Sequence, residues 1–156
     1  MQLSDIVSVE KIKVPMVAKS KRQAIEELVD VLIAAGDVSS REITLSAVLE
    51  REQTRTTGIG NGLAIPHGKC SAVNQVVMAL GRPANGIDFE SVDEKPVNLV
   101  ILLLSPMDMI GPHIQALARI SRLMSIDGLR KQITCAQEPA QIMQALRDAE
   151  QIEAKA

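Results

Sequence analysis

Two histidines and a run of alternating glycines are the residues of this sequence best suited to chemistry. Thr57-Gly58-Ile59-Gly60-Asn61-Gly62 leads through Leu63-Ala64-Ile65 into Pro66-His67-Gly68-Lys69. Glycines at alternate positions let the backbone take positive φ and bring bare N–H groups close to a ligand. Pro66 fixes the approach to His67, and Gly68 leaves it without a bulky neighbour on its C-terminal side. A neutral imidazole is nucleophilic, and its unperturbed pKa of about 6.5 keeps one nitrogen unprotonated near neutral pH. His67 is therefore a candidate to attack or be attacked at the end of a strand. The plainer alternative is a hydrogen-bonded structural histidine.

Two nucleotide motifs come close and fail. Gly58-Ile59-Gly60-Asn61-Gly62 follows a helical pattern rather than a strand and lacks the third glycine of a dinucleotide fingerprint. Gly62 to Cys70 is one residue too long between its glycines for a phosphate-binding P-loop. Cys70 also stands where a magnesium-binding hydroxyl belongs. A metal module built on His67, His113 and Cys70 is a third possibility. Metal sites favour recognisable ligand pairs such as Cys-x-x-Cys, and none occurs here.

The elements that must position these residues follow from periodicity and breakers. Ser20-Lys21-Arg22-Gln23 reads as a capping box opening a helix on Ala24, Ile25, Leu28, Val29 and Leu32, with Gly36 beyond its C-terminus. Ser39 to Glu42 repeats the box for a second helix on Leu45, Val48 and Leu49, ending near Glu52. Residues 53–62 are expected to be loop, and Leu63-Ala64-Ile65 a short strand stopped by Pro66. Strands are expected at Gln75–Leu80 and Val97–Leu104, with a short one at Ile87–Phe89. The continuous apolar character of Val97–Leu104 implies burial on both faces. Pro112 suits the first turn of a helix on Leu117, Ile120, Leu123 and Met124. Further helices are expected around Leu129–Ile133 and from Pro139. Two helices, several strands and three helices imply an α/β fold: a single three-layer domain over residues 1–156, a mixed β-sheet flanked by helices on both faces.

Composition narrows the function. Seventeen Lys and Arg against nineteen Asp and Glu give no electrostatic case for nucleic acid or a charged membrane surface. Trp and Tyr are absent and Phe occurs once, so platforms for stacking bases are missing. The longest apolar run, Leu99–Leu104, is far short of the roughly 20 residues of a membrane helix. The N-terminus does not read as a secretory signal, and Cys70 and Cys135 do not form a disulfide framework but read as small core hydrophobes. A reducing cytoplasm is the expected compartment.

The run Arg51-Glu52, then Thr57-Gly58-Ile59-Gly60-Asn61-Gly62, then Ala64-Ile65-Pro66-His67-Gly68-Lys69 resembles the signature of the enzyme IIA domains of the fructose/mannitol class. These belong to the bacterial phosphoenolpyruvate-dependent phosphotransferase system. Within the class the sequence is most similar to the nitrogen-regulatory branch. The resemblance implies that His67 accepts a phosphoryl group and that Arg51 and His113, the only other histidine, complete the catalytic set. It implies no metal and no cofactor. The donor would be a histidine-containing phosphocarrier protein, itself charged by enzyme I. The recipient would be a regulatory target or an enzyme IIB. Chemistry agrees: phosphoryl transfer needs alignment and stabilisation of charge on the equatorial oxygens. Arg51 can supply a bidentate guanidinium, His113 a hydrogen bond, and Thr57, Gly58, Gly60, Asn61, Gly62 and Gly68 a cradle. Two residues depart from the family pattern. Arg55 stands where glycine is common, and Asp93-Glu94 replaces an Asp-Gly turn, a change expected to alter only the surface.

Overall fold

Seven consecutive buried residues, Leu99–Ser105, form the central strand β6 and organise everything else. Alternate side chains of a strand face opposite sides of a sheet. Leu99, Ile101 and Leu103 accordingly join one apolar cluster, and Val100, Leu102 and Leu104 the other. A strand sandwiched this way has no polar face, which is why its sequence does not alternate.

The computed structural model describes residues 1–155. In chain order, β1 is Ile12–Met16, α1 Lys21–Ala34, α2 Arg41–Thr54, β2 Gly58–Gly60, β3 Leu63–Ala64, β4 His67–Lys69 and β5 Val77–Pro83. After β6 come α3 Ile110–Met124, α4 Asp127–Cys135 and α5 Pro139–Lys155. The sheet is mixed, with order β1-β5-β6-β3-β2 and β4 also paired to β6. Helices α1 and α2 cover one face through Ile25, Leu28, Leu32 and Val48. Helices α3, α4 and α5 cover the other through Ile120, Leu123, Ile133 and Leu146. The three layers anticipated from the element pattern are present.

Several local expectations are corrected. The second helix is capped by Ser40, whose hydroxyl accepts from the Ile43 N–H, not by Ser39. Ser39 is drawn away because both its N–H and its hydroxyl donate to the Ala72 carbonyl. Helix α2 continues past Glu52 to Thr54, and the expected loop contains β2, the first arm of a hairpin with β3. Gly60, Asn61 and Gly62, all at positive φ, make its turn, and Asn-Gly is a favoured hairpin pair. Pro66 does not end the pairing. β3 and β4 lie in the same register along β6, and the Leu103 N–H donates to the Pro66 carbonyl between them. Ile65 and Pro66 lie between the two strands, and proline has no N–H to donate there. Residues Ile87–Phe89 form no strand, only a single bridge from Ile87 to Val97. Cys70 is buried as expected, whereas Cys135, at the end of α4, is exposed.

Candidate functional site

β4 carries His67 at the edge of β6, and the fold brings two other elements to it. Gly68 is the first of these links. A Cβ there would lie 3.3 Å from Val48 and 3.4 Å from the Ala47 and Val48 backbone, so glycine lets α2 lie directly on β4. That contact carries the last turn of α2, and Arg51 on it, to the rim of the cleft that His67 lines. The second link is the short connection from β6 into α3. Ser105 closes β6 and His113 sits in the first turn of α3, where its N–H donates to the Met109 carbonyl. His113 begins the buried stripe that continues through Ala116, Ile120 and Leu123.

The two imidazoles meet with ring centroids 5.6 Å apart and planes tilted by 55°. His67 Nδ1 lies 2.7 Å from the Ile65 carbonyl oxygen. A carbonyl oxygen can only accept, so Nδ1 carries the proton and Nε2 holds the lone pair. His113 is buried, and its Nδ1 lies 2.6 Å from Ser105 Oγ. The Arg51 guanidinium donates to the Arg55 carbonyl at 3.0 Å, its one hydrogen bond among the described residues. A cleft of about 290 Å³ opens beside them, with Thr57, Ile59, Ile65 and, from α3, Leu117 on its walls.

Electrostatics hold both rings neutral. Burial lowers the pKa of His67, and the Arg51 and Lys69 charges push the same way. The Ile65 carbonyl and Glu52 oppose them. His113 is pushed down to about 4, by burial first and then by His67 and Lys69. A cation there would be desolvated and would face other positive groups.

The structure brings His67, Arg51, His113 and Thr57 together. Thr57 is held in place: its N–H and hydroxyl donate to the buried Glu52 carboxylate at 2.8 and 2.5 Å, and Lys21 donates to the same group at 3.1 Å. Gly58 approaches Ser91 so closely that a Cβ would stand 2.3 Å from its hydroxyl oxygen. The Gly60–Gly62 turn has other partners. The Asn61 N–H donates to Asp93, and the Gly62 carbonyl accepts from the Asn98 and Leu99 N–H groups. Asp93 therefore does more than alter a surface turn. Arg55 lines the cleft and adds a positive charge there. Cys70 is engaged with Thr44, and no three His, Cys, Asp or Glu side chains among the described residues are grouped as a metal centre requires.

Motif and spacing give no part to Glu52 or Ser105, which the structure adds to the site. Glu52 stands beside Arg51 in the motif but is assigned no role there, and in the structure Lys21 and Thr57 both donate to its carboxylate. Ser105 leaves a fainter trace, as the one hydroxyl closing an otherwise wholly apolar strand.

Comparison with known proteins bears on the whole arrangement. Residues 5–149 match the family model described as "Phosphoenolpyruvate-dependent sugar phosphotransferase system, EIIA 2". The sequence is 36% identical over 146 residues to a fructose-specific EIIA component of Haloferax volcanii, covering 94% of this chain and 95% of that protein. It is 35% identical over 146 residues to a nitrogen regulatory protein of Bradyrhizobium diazoefficiens, with the same coverage. It is also 36% identical over 133 residues to a fructose-specific EIIABC component of Bacillus subtilis, covering 85% of this chain but only 21% of that longer protein. Among solved structures, the nitrogen regulatory protein IIA-Ntr of Neisseria meningitidis superposes with TM-score 0.81 at 27% identity, covering 92% of this chain and 98% of that one. Mannitol enzyme IIA of Escherichia coli, solved in complex with phosphorylated mannitol enzyme IIB, shares the fold at TM-score 0.77 and 21% identity, with 91% and 97% coverage.

Proposed function

Because the chain belongs to the EIIA 2 family of the phosphoenolpyruvate-dependent sugar phosphotransferase system, we propose that it accepts a phosphoryl group on Nε2 of His67. The observation that carries this reading is the Nδ1–H donation to the Ile65 carbonyl, which leaves Nε2 as the nucleophile beside Arg51 and His113. The donor is a histidine-containing phosphocarrier protein. The Nε2 lone pair forms the new P–N bond while the donor's P–N bond breaks and its electron pair returns to the donor ring. The proton stays on Nδ1 throughout, donated as a hydrogen bond to the Ile65 carbonyl. Arg51 and an N–H of His113 bind the equatorial oxygens as charge builds on them. No proton has to leave His67 and no cofactor takes part.

In this reading Thr57, braced by Glu52, forms the near wall of the cradle. Gly58 and Gly68 serve by allowing close approach, and Gly60, Asn61 and Gly62 hold the hairpin in register. The protein acts in the cytoplasm, and no helix among the described residues is long and apolar enough to cross a membrane.

Incubated with enzyme I, phosphocarrier protein and phosphoenolpyruvate, the chain gains one phosphoryl group that peptide mapping places on His67. His67→Ala keeps the native circular dichroism and takes up none. Phosphate found on His113 or on any serine would overturn the assignment. The downstream role we propose is regulatory, of the nitrogen type. The second reading is transfer to an enzyme IIB in fructose- or mannitol-type uptake, supported by the likeness to a fructose-specific component. Mixing the phosphorylated chain with fructose- and mannitol-type enzyme IIB domains separates the two: retention of the phosphoryl group fits regulation, rapid loss fits uptake.

A further inference from the structure

We propose that Ser105 is a positioning residue: its hydroxyl donates to His113 Nδ1 and fixes His113 as the neutral tautomer with its proton on Nε2. The functional meaning of this contact rests on the proposed phosphoryl site, though its geometry does not.

Hydrogen-bond accounting decides the direction of the contact. Ser105 is fully buried at the end of β6, and its Oγ lies 2.6 Å from His113 Nδ1. That is the sole hydrogen-bond contact of the hydroxyl among the described residues. Two assignments satisfy the distance. If His113 Nδ1 carried the proton and donated to Ser105, the serine's own hydrogen would be buried without an acceptor. An unsatisfied buried donor costs on the order of 1–3 kcal/mol. If Ser105 donates instead, its hydrogen is used and Nδ1 has the lone pair to receive it. The proton of a neutral His113 then sits on Nε2. The ring is kept neutral by its buried position beside His67 and Lys69.

This choice matters because of what stands opposite. His67 commits Nδ1–H to the Ile65 carbonyl and offers an Nε2 lone pair. His113, its centroid 5.6 Å away, has only Nε2 left uncommitted once Nδ1 is engaged by Ser105. A lone pair there would be repelled by the oxygens of a phosphoryl group arriving at His67, whereas an N–H can donate to them. The Ile65 carbonyl and the Ser105 hydroxyl thus set the two rings in opposite tautomers, one acceptor and one donor, and no ring has to be protonated. Placement follows from the fold: β6 ends at Ser105, and a short connection returns the chain into α3, so strand end and first helical turn stay in contact.

The test is the imidazole nitrogen spectrum of the unphosphorylated protein labelled with 15N-histidine, near pH 7. For His113 we expect an unprotonated Nδ1 and a protonated Nε2. Ser105→Ala should release the preference and give a mixture of tautomers, while Ser105→Thr restores the wild-type pattern. Transfer to His67 should fall about tenfold in Ser105→Ala, less than for loss of His113 itself, and recover in Ser105→Thr. A protonated Nδ1 on wild-type His113, or a Ser105→Ala spectrum identical to wild type, overturns the proposal. The wild-type spectrum decides even if the alanine variant does not fold. Should His67 prove not to be the acceptor, the tautomer result still stands or falls by itself.

Discussion

At the scale of single residues, the proposed reaction uses His67 as a nucleophile that needs no base, with Arg51 and His113 as the groups that stabilise charge. Arg51→Ala and His113→Ala leave Nε2 of His67 in place, so both variants should still be phosphorylated, but slowly. Loss of one charge-stabilising donor typically costs about 10²–10³ in rate, and rapid-quench measurement of phosphoryl uptake reads it directly. Wild-type rates in either variant would reduce that residue to a structural part. Protonation supplies a second check. Both rings have pKa values below 6.5, so each native imidazole holds its proton less tightly than in the unfolded chain. Between pH 6.5 and about 4 the unfolded state binds more protons, and stability falls as pH falls through that window. Each tenfold weakening of proton binding is worth about 1.4 kcal/mol, so His113 contributes on the order of 3 kcal/mol to the loss. Urea unfolding of wild type and His113→Gln at pH 7 and pH 4.5 should show the variant's stability to be much less pH-dependent. Arg51→Ala should raise the His67 pKa, since it removes a neighbouring positive charge.

At the scale of elements, the site is held by close approaches that only small residues permit. Gly58 is the sharpest case. A Cβ there would stand 2.3 Å from Ser91 Oγ and 3.0 Å from the Ser91 Cα, which cannot swing aside. Gly58→Ala should therefore cost about 1–3 kcal/mol of stability by overpacking. Ser91→Gly should recover part of this by removing the side chain but not the Cα, as denaturant melts of the single and double variants would show. How far these elements are legible in the sequence depends on where their constraints lie. Helices α1 and α5, with their apolar stripes and the Ser20 and Pro139 starts, are readable because their signals are local. The hairpin is not, although Asn61-Gly62 marks its turn: three glycines and a neighbouring Asn look like loop until β6 supplies a partner. The cap at Ser40 lies one residue beyond the expected one because Ser39 answers to Ala72, a contact far along the chain. His67 and Gly68 are conspicuous through their motif. Ser105 and Glu52 act only through partners in space, and no spacing rule joins Ser105 to a histidine across the end of a sheet.

At the scale of the whole molecule, the question is how a phosphoryl group on His67 could be read by another protein. It adds net negative charge and three acceptor oxygens to a surface that carries Arg51, Arg55 and Lys69. The frame beneath has little freedom to answer globally. β6 is buried on both faces, the two apolar clusters lie on opposite sides of the sheet, and His67 is paired to β6 through the register of β4. Interiors packed in this way have low compressibility and few voids into which α1 or α5 could shift. The response should therefore be confined to what touches the new group: the hairpin, the last turn of α2 and the first turn of α3. A partner docking over the cleft would then favour one state by direct contact, since a ligand shifts an equilibrium only through differential affinity. Backbone amide spectra of the free and phosphorylated protein test this. Shift changes should cluster in residues 51–69 and around His113, leaving the centres of α1 and α5 unmoved. Changes spread through both of those helices would mean a global rearrangement, and the local switch would have to be given up.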